Sequence, residues 1–127
     1  MPRAIGVVTV ARSDWGHLVP VLEAIRAAPD LELRLLVGGG HLSPRFGNTV
    51  AAIEAAGWPI HARIEMLGAG DAPADMARAA ARGVAGLAEV FARERLDLLV
   101  VLGDRIEVLA AAVAALPFAL PVAHLHG

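Results

Sequence analysis

Ala4-Ile-Gly-Val-Val-Thr-Val10 runs directly into Ala11-Arg-Ser-Asp-Trp-Gly16, and this junction decides the fold. The first seven residues are mostly apolar without alternation and rich in β-branched side chains, the pattern of a strand covered on both faces. The polar break that follows opens a helix with Leu18, Val21, Leu22 and Ile25 on one side. Pro20 is expected in its first turn, where few backbone donors are needed. A doubly covered strand feeding an amphipathic helix is the opening unit of a parallel α/β sheet.

The rest of the chain repeats that alternation. Leu31–Val37 reads as a second strand, followed by the long glycine-rich loop Gly38–Gly47. Asn48 is placed to cap a short helix carrying Val50 and Ile53 and ending at Gly57. Pro59–Met66 reads as a weaker third strand. A helix over about 75–94 follows, with Met76, Ala80, Val84, Leu87 and Phe91 as its apolar stripe. Its arginines form a solvated face. Leu96–Leu102 is the most hydrophobic strand, Asp104–Leu116 a helix, and Pro121–His124 a fifth strand. Alternating strands and helices with short connections imply parallel strands and right-handed crossovers, so the spacing predicts a Rossmann-like, doubly wound sheet of order 3-2-1-4-5. Ligands of such sheets bind outside the carboxyl ends of the strands, at the switch point. The loops after residues 10, 37, 102 and 124 are therefore where function is sought.

Composition narrows the classes. The 127 residues fit one domain able to bury a core, and much of the 57% hydrophobic fraction is alanine. A net charge of −2 leaves no electrostatic footprint for nucleic acid. The absence of cysteine removes a disulfide scaffold and a thiolate zinc site and fits a reducing cytoplasm. Met1-Pro-Arg-Ala-Ile5 is too short an apolar run for a signal peptide, and no segment reads as a membrane span. The expectation is a soluble cytoplasmic domain.

Each loop motif has a plain and a functional reading. Arg12 could pair with a nucleotide phosphate beside the helix N-terminus; alternatively Ser13 or Asp14 caps that helix and Arg12 is solvated. Gly16 is the one glycine of that turn, so the dinucleotide fingerprint is absent, and no Walker loop is present. In Gly103-Asp-Arg-Ile-Glu107, Asp104 and Glu107 have capping-box spacing, while Asp104 is equally suited to general acid–base work with Arg105 beside it for a phosphate. His124 and His126 fall on the same face of a strand end. Two imidazoles do not make a metal site, and polar contacts to a sugar or to neighbouring catalytic groups suit them better. His41 in the glycine-rich loop carries the same ambiguity, and His17 and His61 read as surface residues.

Taken in order, Val8-Thr-Val-Ala-Arg-Ser-Asp-Trp-Gly16, Gly40-His-Leu-Ser-Pro-Arg-Phe-Gly-Asn-Thr49, Leu102-Gly-Asp-Arg105 and Pro121-Val-Ala-His-Leu-His-Gly127 resemble the N-terminal half of the hydrolysing UDP-N-acetylglucosamine 2-epimerases of the sialic-acid-pathway type. The resemblance implies two Rossmann-like domains of the glycosyltransferase-B type, with a UDP-sugar in the cleft between them and no cofactor. It assigns Asp104 as the catalytic aspartate and Arg12, Gly16 and Arg105 to the UDP part. His41, Ser43, His124 and His126 would line the sugar side. Gly-Asp-Arg points to the hydrolysing branch, which forms N-acetylmannosamine and UDP, and family members are commonly homodimers. The resemblance puts the C-terminal domain and further acidic groups beyond Gly127, so this chain alone is expected to turn over little or nothing. The alternatives are the same reaction on a UDP-2,4-diacetamido-6-deoxyhexose, a non-catalytic Rossmann-like binding module, and a chain that assembles with a separate C-terminal one. A phosphoreceiver is poorly supported: the first strand ends in Arg12-Ser-Asp and the third in Glu65-Met-Leu, without its clustered acids.

Overall fold

β1 (Arg3–Thr9) is the central strand of the computed structural model, which describes residues 2–127; Met1 lies outside them. It pairs in parallel with β2 (Leu31–Gly38) on one side and β4 (Leu98–Leu102) on the other. β3 (Ala62–Ile64) flanks β2 and β5 (Val122–Leu125) flanks β4, giving the order β3-β2-β1-β4-β5 in one parallel sheet. This is the order that the strand–helix alternation predicts, and the fold class stands as expected.

Both faces of the sheet are covered because β1, β4 and the second half of β2 carry near-continuous apolar runs, and alternate side chains feed two cores. Ile5, Val7, Leu35, Val37 and Val100 pack with Leu18, Leu22 and Ile25 of α1 (Arg12–Ala27) and Ile53 of α2 (Val50–Ala55). Ala4, Val8, Leu36, Leu99 and Val101 pack with Leu87, Val90 and Phe91 of α3 (Pro73–Arg93) and Val108, Ala111 and Ala114 of α4 (Ile106–Ala115). Each fully buried leucine contributes about 1.5–3 kcal/mol of transfer free energy. The small residues on α4 let α3 approach closely: a Cβ added at Gly83 would stand 3.1 Å from Met66 Sδ and 3.2 Å from Ala110 Cβ.

Several local expectations are corrected. Pro20 sits inside α1, not in its first turn. A proline ring there crowds the carbonyl four residues back. That residue is Gly16, which is exposed along with Pro20, so solvent can serve the unpaired carbonyl. Asn48 does not cap α2. Its φ of +47° is left-handed and Thr49 is the N-cap. β3 is only three residues long, because chain outside Ala62–Ile64 leaves the β2 ladder. The buried stripe of α3 is Ala79, Gly83, Leu87, Val90 and Phe91, rotated from the predicted one so that Met76, Ala80 and Val84 are only half-buried. The α4 helix starts at Ile106 with Arg105 as its N-cap and no side-chain cap bond, so Asp104 and Glu107 form no capping box. α4 keeps an apolar exposed side: Leu109 is 60% exposed and Val113 48%. Among the described residues, no helix is long and apolar enough to cross a membrane.

Candidate functional site

A cleft of about 770 Å³ opens where the loops after β1, β2, β3 and β4 meet. Its lining comprises Val10–Ser13, Gly40, Arg45, Phe46, Thr49, Leu67, Asp71, Met76, Arg105 and Glu107. β1 and β4 are neighbours whose crossover helices leave on opposite faces of the sheet, so the cleft lies at the switch point.

Three guanidinium groups and two carboxylates surround it. Arg12 is exposed as the first residue of α1, where the unpaired N–H groups of the opening turn also favour an anion. Arg105 comes from the β4–α4 loop, whose sharp turn uses Gly103 at φ +84°. Arg45 comes from the β2 loop, donates from Nη1 to the Ala69 carbonyl at 3.0 Å and lies 4.8 Å from the Phe46 ring centroid. It thereby ties the β2 loop to the β3–α3 loop. Glu107 is only 3% exposed and stands 3.8 Å from Arg105 Nη1.

Of the residues singled out from sequence, Arg12 and Arg105 line this cleft. Asp104 is exposed beside Arg105 and is not part of the lining. His124 donates from Nε2 to the Gly103 carbonyl at 2.5 Å, which brackets the Gly103–Asp104 turn from β5. His126 lies beyond β5 with φ +55°, so the alternation expected to put it on the His124 face breaks there. Its ring meets that of His17 edge-on, with centroids 6.0 Å apart. Ser43, 8% exposed, lines a neighbouring groove of about 600 Å³ between the β2 and β3–α3 loops. Gly16 is exposed on α1, with nothing within 4 Å of an added Cβ, and it is not in the cleft lining.

His41 is 1% exposed, in a buried polar network that local patterning did not reveal. Thr9 Oγ1 lies 2.5 Å from Asp14 Oδ1 and 2.8 Å from His41 Nε2, and His41 Nδ1 lies 2.7 Å from Thr49 Oγ1. Asp14 Oδ2 also accepts the Val10 N–H at 3.2 Å. Asp14 is thus neither the N-cap, which is Ala11, nor a solvated residue. No buried side-chain nitrogen or oxygen lacks a partner, and no group of three or more metal-ligating side chains occurs, among the described residues. Arg45, Thr49 and Glu107 are cleft residues that the sequence reading missed. The motif Gly40–Thr49 contained the first two, but only the fold turns them toward Arg12 and Arg105.

The fold and site define the class as a Rossmann-like α/β domain with an arginine-rimmed cleft at its switch point. The family follows from comparison with known proteins. The UDP-N-acetylglucosamine 2-epimerase family model matches residues 23–127, and the chain belongs to that family. It is 40% identical over its full 127 residues to the hydrolysing UDP-N,N'-diacetylbacillosamine 2-epimerase of Legionella pneumophila, covering 34% of that protein. It is 32% identical over 125 residues to the hydrolysing GDP/UDP-N,N'-diacetylbacillosamine 2-epimerase of Campylobacter jejuni, covering 98% of this chain and 32% of that protein. The crystal structure of the Neisseria meningitidis UDP-GlcNAc 2-epimerase bound to UDP-GlcNAc superposes with a TM-score of 0.77 at 16% identity, over 95% of this chain and 31% of that one. The chain spans about a third of the length of the curated relatives it matches.

Proposed function

We propose that this chain forms the N-terminal wall of a hydrolysing UDP-sugar 2-epimerase, acting on a 2-acetamido sugar. The observation that carries the reading is the convergence of Arg12, Arg45 and Arg105 on one switch-point cleft in a chain of this family. Guanidinium groups match phosphate oxygens in geometry and charge. Arg12 and Arg105 engage the diphosphate. Asp104, exposed beside Arg105, is the group offered to the sugar for proton transfer at C2.

The reaction balances without a cofactor. A base takes the C2 proton, the C1–O bond breaks, and UDP leaves with the bonding pair to give a 2-acetamidoglucal. Water then adds, its hydroxyl to C1 and a proton to C2 from the opposite face. The products are UDP and the free sugar inverted at C2. A C-terminal domain closing over the nucleotide, a homo-oligomer and a cytoplasmic location belong to the same proposal.

UDP-N-acetylglucosamine and a UDP-2,4-diacetamido-6-deoxyhexose are the two substrate readings. The names of the Legionella and Campylobacter relatives favour the second. Proton NMR of the complete gene product in D₂O with each nucleotide sugar tests the proposal. UDP release with deuterium at C2 is the expected result, and the faster substrate identifies the sugar. UDP release without C2 exchange would contradict the elimination route. Asp104→Asn should cut turnover about 10²–10⁴-fold, and an unchanged rate would remove Asp104 from the chemistry.

A further inference from the structure

With an acceptor-only Asp14 and one proton on the His41 ring, the buried network of Asp14, Thr9, His41 and Thr49 has one direction of hydrogen bonding. The carboxylate of Asp14 only accepts, so the Thr9 hydroxyl spends its proton on Oδ1 at 2.5 Å. Thr9 Oγ1 must then accept from His41, which places the imidazole proton on Nε2, 2.8 Å away. Nδ1 is left as an acceptor, and its partner at 2.7 Å is the Thr49 hydroxyl. The electrostatics agree, because His41 Nε2 is 3.9 Å from Asp14 Oδ1 and its N–H dipole faces the carboxylate. Thr49 makes no side-chain cap bond to its own helix, so no backbone N–H of that helix occupies the lone pairs of its hydroxyl.

We infer that Thr49 is a ligand-binding residue held by this network as a hydrogen-bond acceptor. It lines the cleft and is half-buried, and with its proton committed to His41 only lone pairs remain for a bound molecule. It suits a donor, a sugar hydroxyl or amide N–H, and it repels the oxygens of a phosphate. The cleft is thus divided: the arginines take the diphosphate, and Thr49 reads a donor on the sugar. Asp14, Thr9 and His41 are positioning residues acting through Thr49. This rests on the UDP-sugar reading of the cleft and adds which chemical group is recognised where.

The wiring is tested without ligand by nitrogen-15 NMR of His41 in the 127-residue chain. The Nε2–H tautomer is expected. An Nδ1–H tautomer or a doubly protonated ring would overturn the inference. Asp14→Asn gives a second reading. The Val10 N–H holds the amide oxygen, the amide N–H₂ then faces Thr9, and the chain reverses to put the His41 proton on Nδ1. A mutant that folds and keeps the Nε2–H form would also overturn it.

The ligand half is tested on the complete gene product with UDP and UDP-N-acetylglucosamine. Thr49→Val should weaken the sugar nucleotide about 3- to 10-fold, as loss of one hydrogen bond does, and leave UDP unchanged. Thr49→Ser should retain both affinities. Equal weakening of both ligands would exclude the acceptor role toward the sugar. Failure of the unaltered protein to bind either would refute the UDP-sugar reading itself, and the ligand-free tautomer tells that failure apart from faulty wiring.

Discussion

The Gly40 N–H donates to the Val10 carbonyl at 2.7 Å, laying the start of the β2 loop across the end of β1. Gly39 makes this possible. Its φ is +57°, and a Cβ there would stand 2.6 Å from the same carbonyl oxygen. Gly39→Ala therefore combines a left-handed backbone with a collision against main chain. Thermal or urea unfolding should show a loss of about 1–3 kcal/mol, with weaker UDP binding as the cleft wall shifts. Unchanged stability would show that the loop can leave β1 at little cost.

Arg45 should separate ligand charge from fold. It is exposed, and among the described residues its side chain is tied to another loop through its bond to Ala69. Arg45→Met is expected to keep the melting temperature within a few degrees and weaken UDP about tenfold, the value of one charge-assisted contact. The salt dependence of binding should fall in parallel. Full UDP affinity in the mutant would remove Arg45 from the phosphate site.

The acid limb of stability should report Glu94. Burial works against its charge, but hydrogen bonds and attraction from His61 and Arg34 outweigh that and hold the carboxyl below its ordinary value of 4.5. A depressed folded-state value means stabilisation that is present above the unfolded value and lost as pH falls through the folded one. Glu94→Gln should lower stability at pH 7 and flatten its decline below about pH 4.5, because the titrating group is gone. An acid limb of unchanged steepness in urea titrations would argue against the pair.

Leu109, Val113 and Leu116 extend along one exposed side of α4 and the turn after it, with Leu116 79% exposed. An apolar stripe at helical spacing favours association. Sedimentation of the 127-residue chain should show concentration-dependent self-association, and Leu109→Glu with Val113→Lys should suppress it without changing the melting temperature by more than a few degrees. A wild-type chain that stays monomeric at high concentration would show that this side is tolerated in water.

The sequence by itself determined the architecture. Val7, Leu36 and Leu99 lie in runs too apolar for a half-solvated sheet, and such runs spaced by helices have few solutions besides a parallel sheet covered on both faces. The loops that carry Arg12 and Arg105 followed from that order, since a switch point depends only on topology. Helix starts were less legible, because capping depends on where the backbone turns: Asn48 and Asp104 have the chemistry of caps and do not occupy those positions. Tertiary structure alone decided the network and the reach of the cleft. Thr9 and His41 are 32 residues apart, and Arg45 reaches Ala69 across 24. Local periodicity carries no information about such pairs; they meet because β1, β2 and β3 are parallel neighbours whose carboxyl ends share one edge of the sheet.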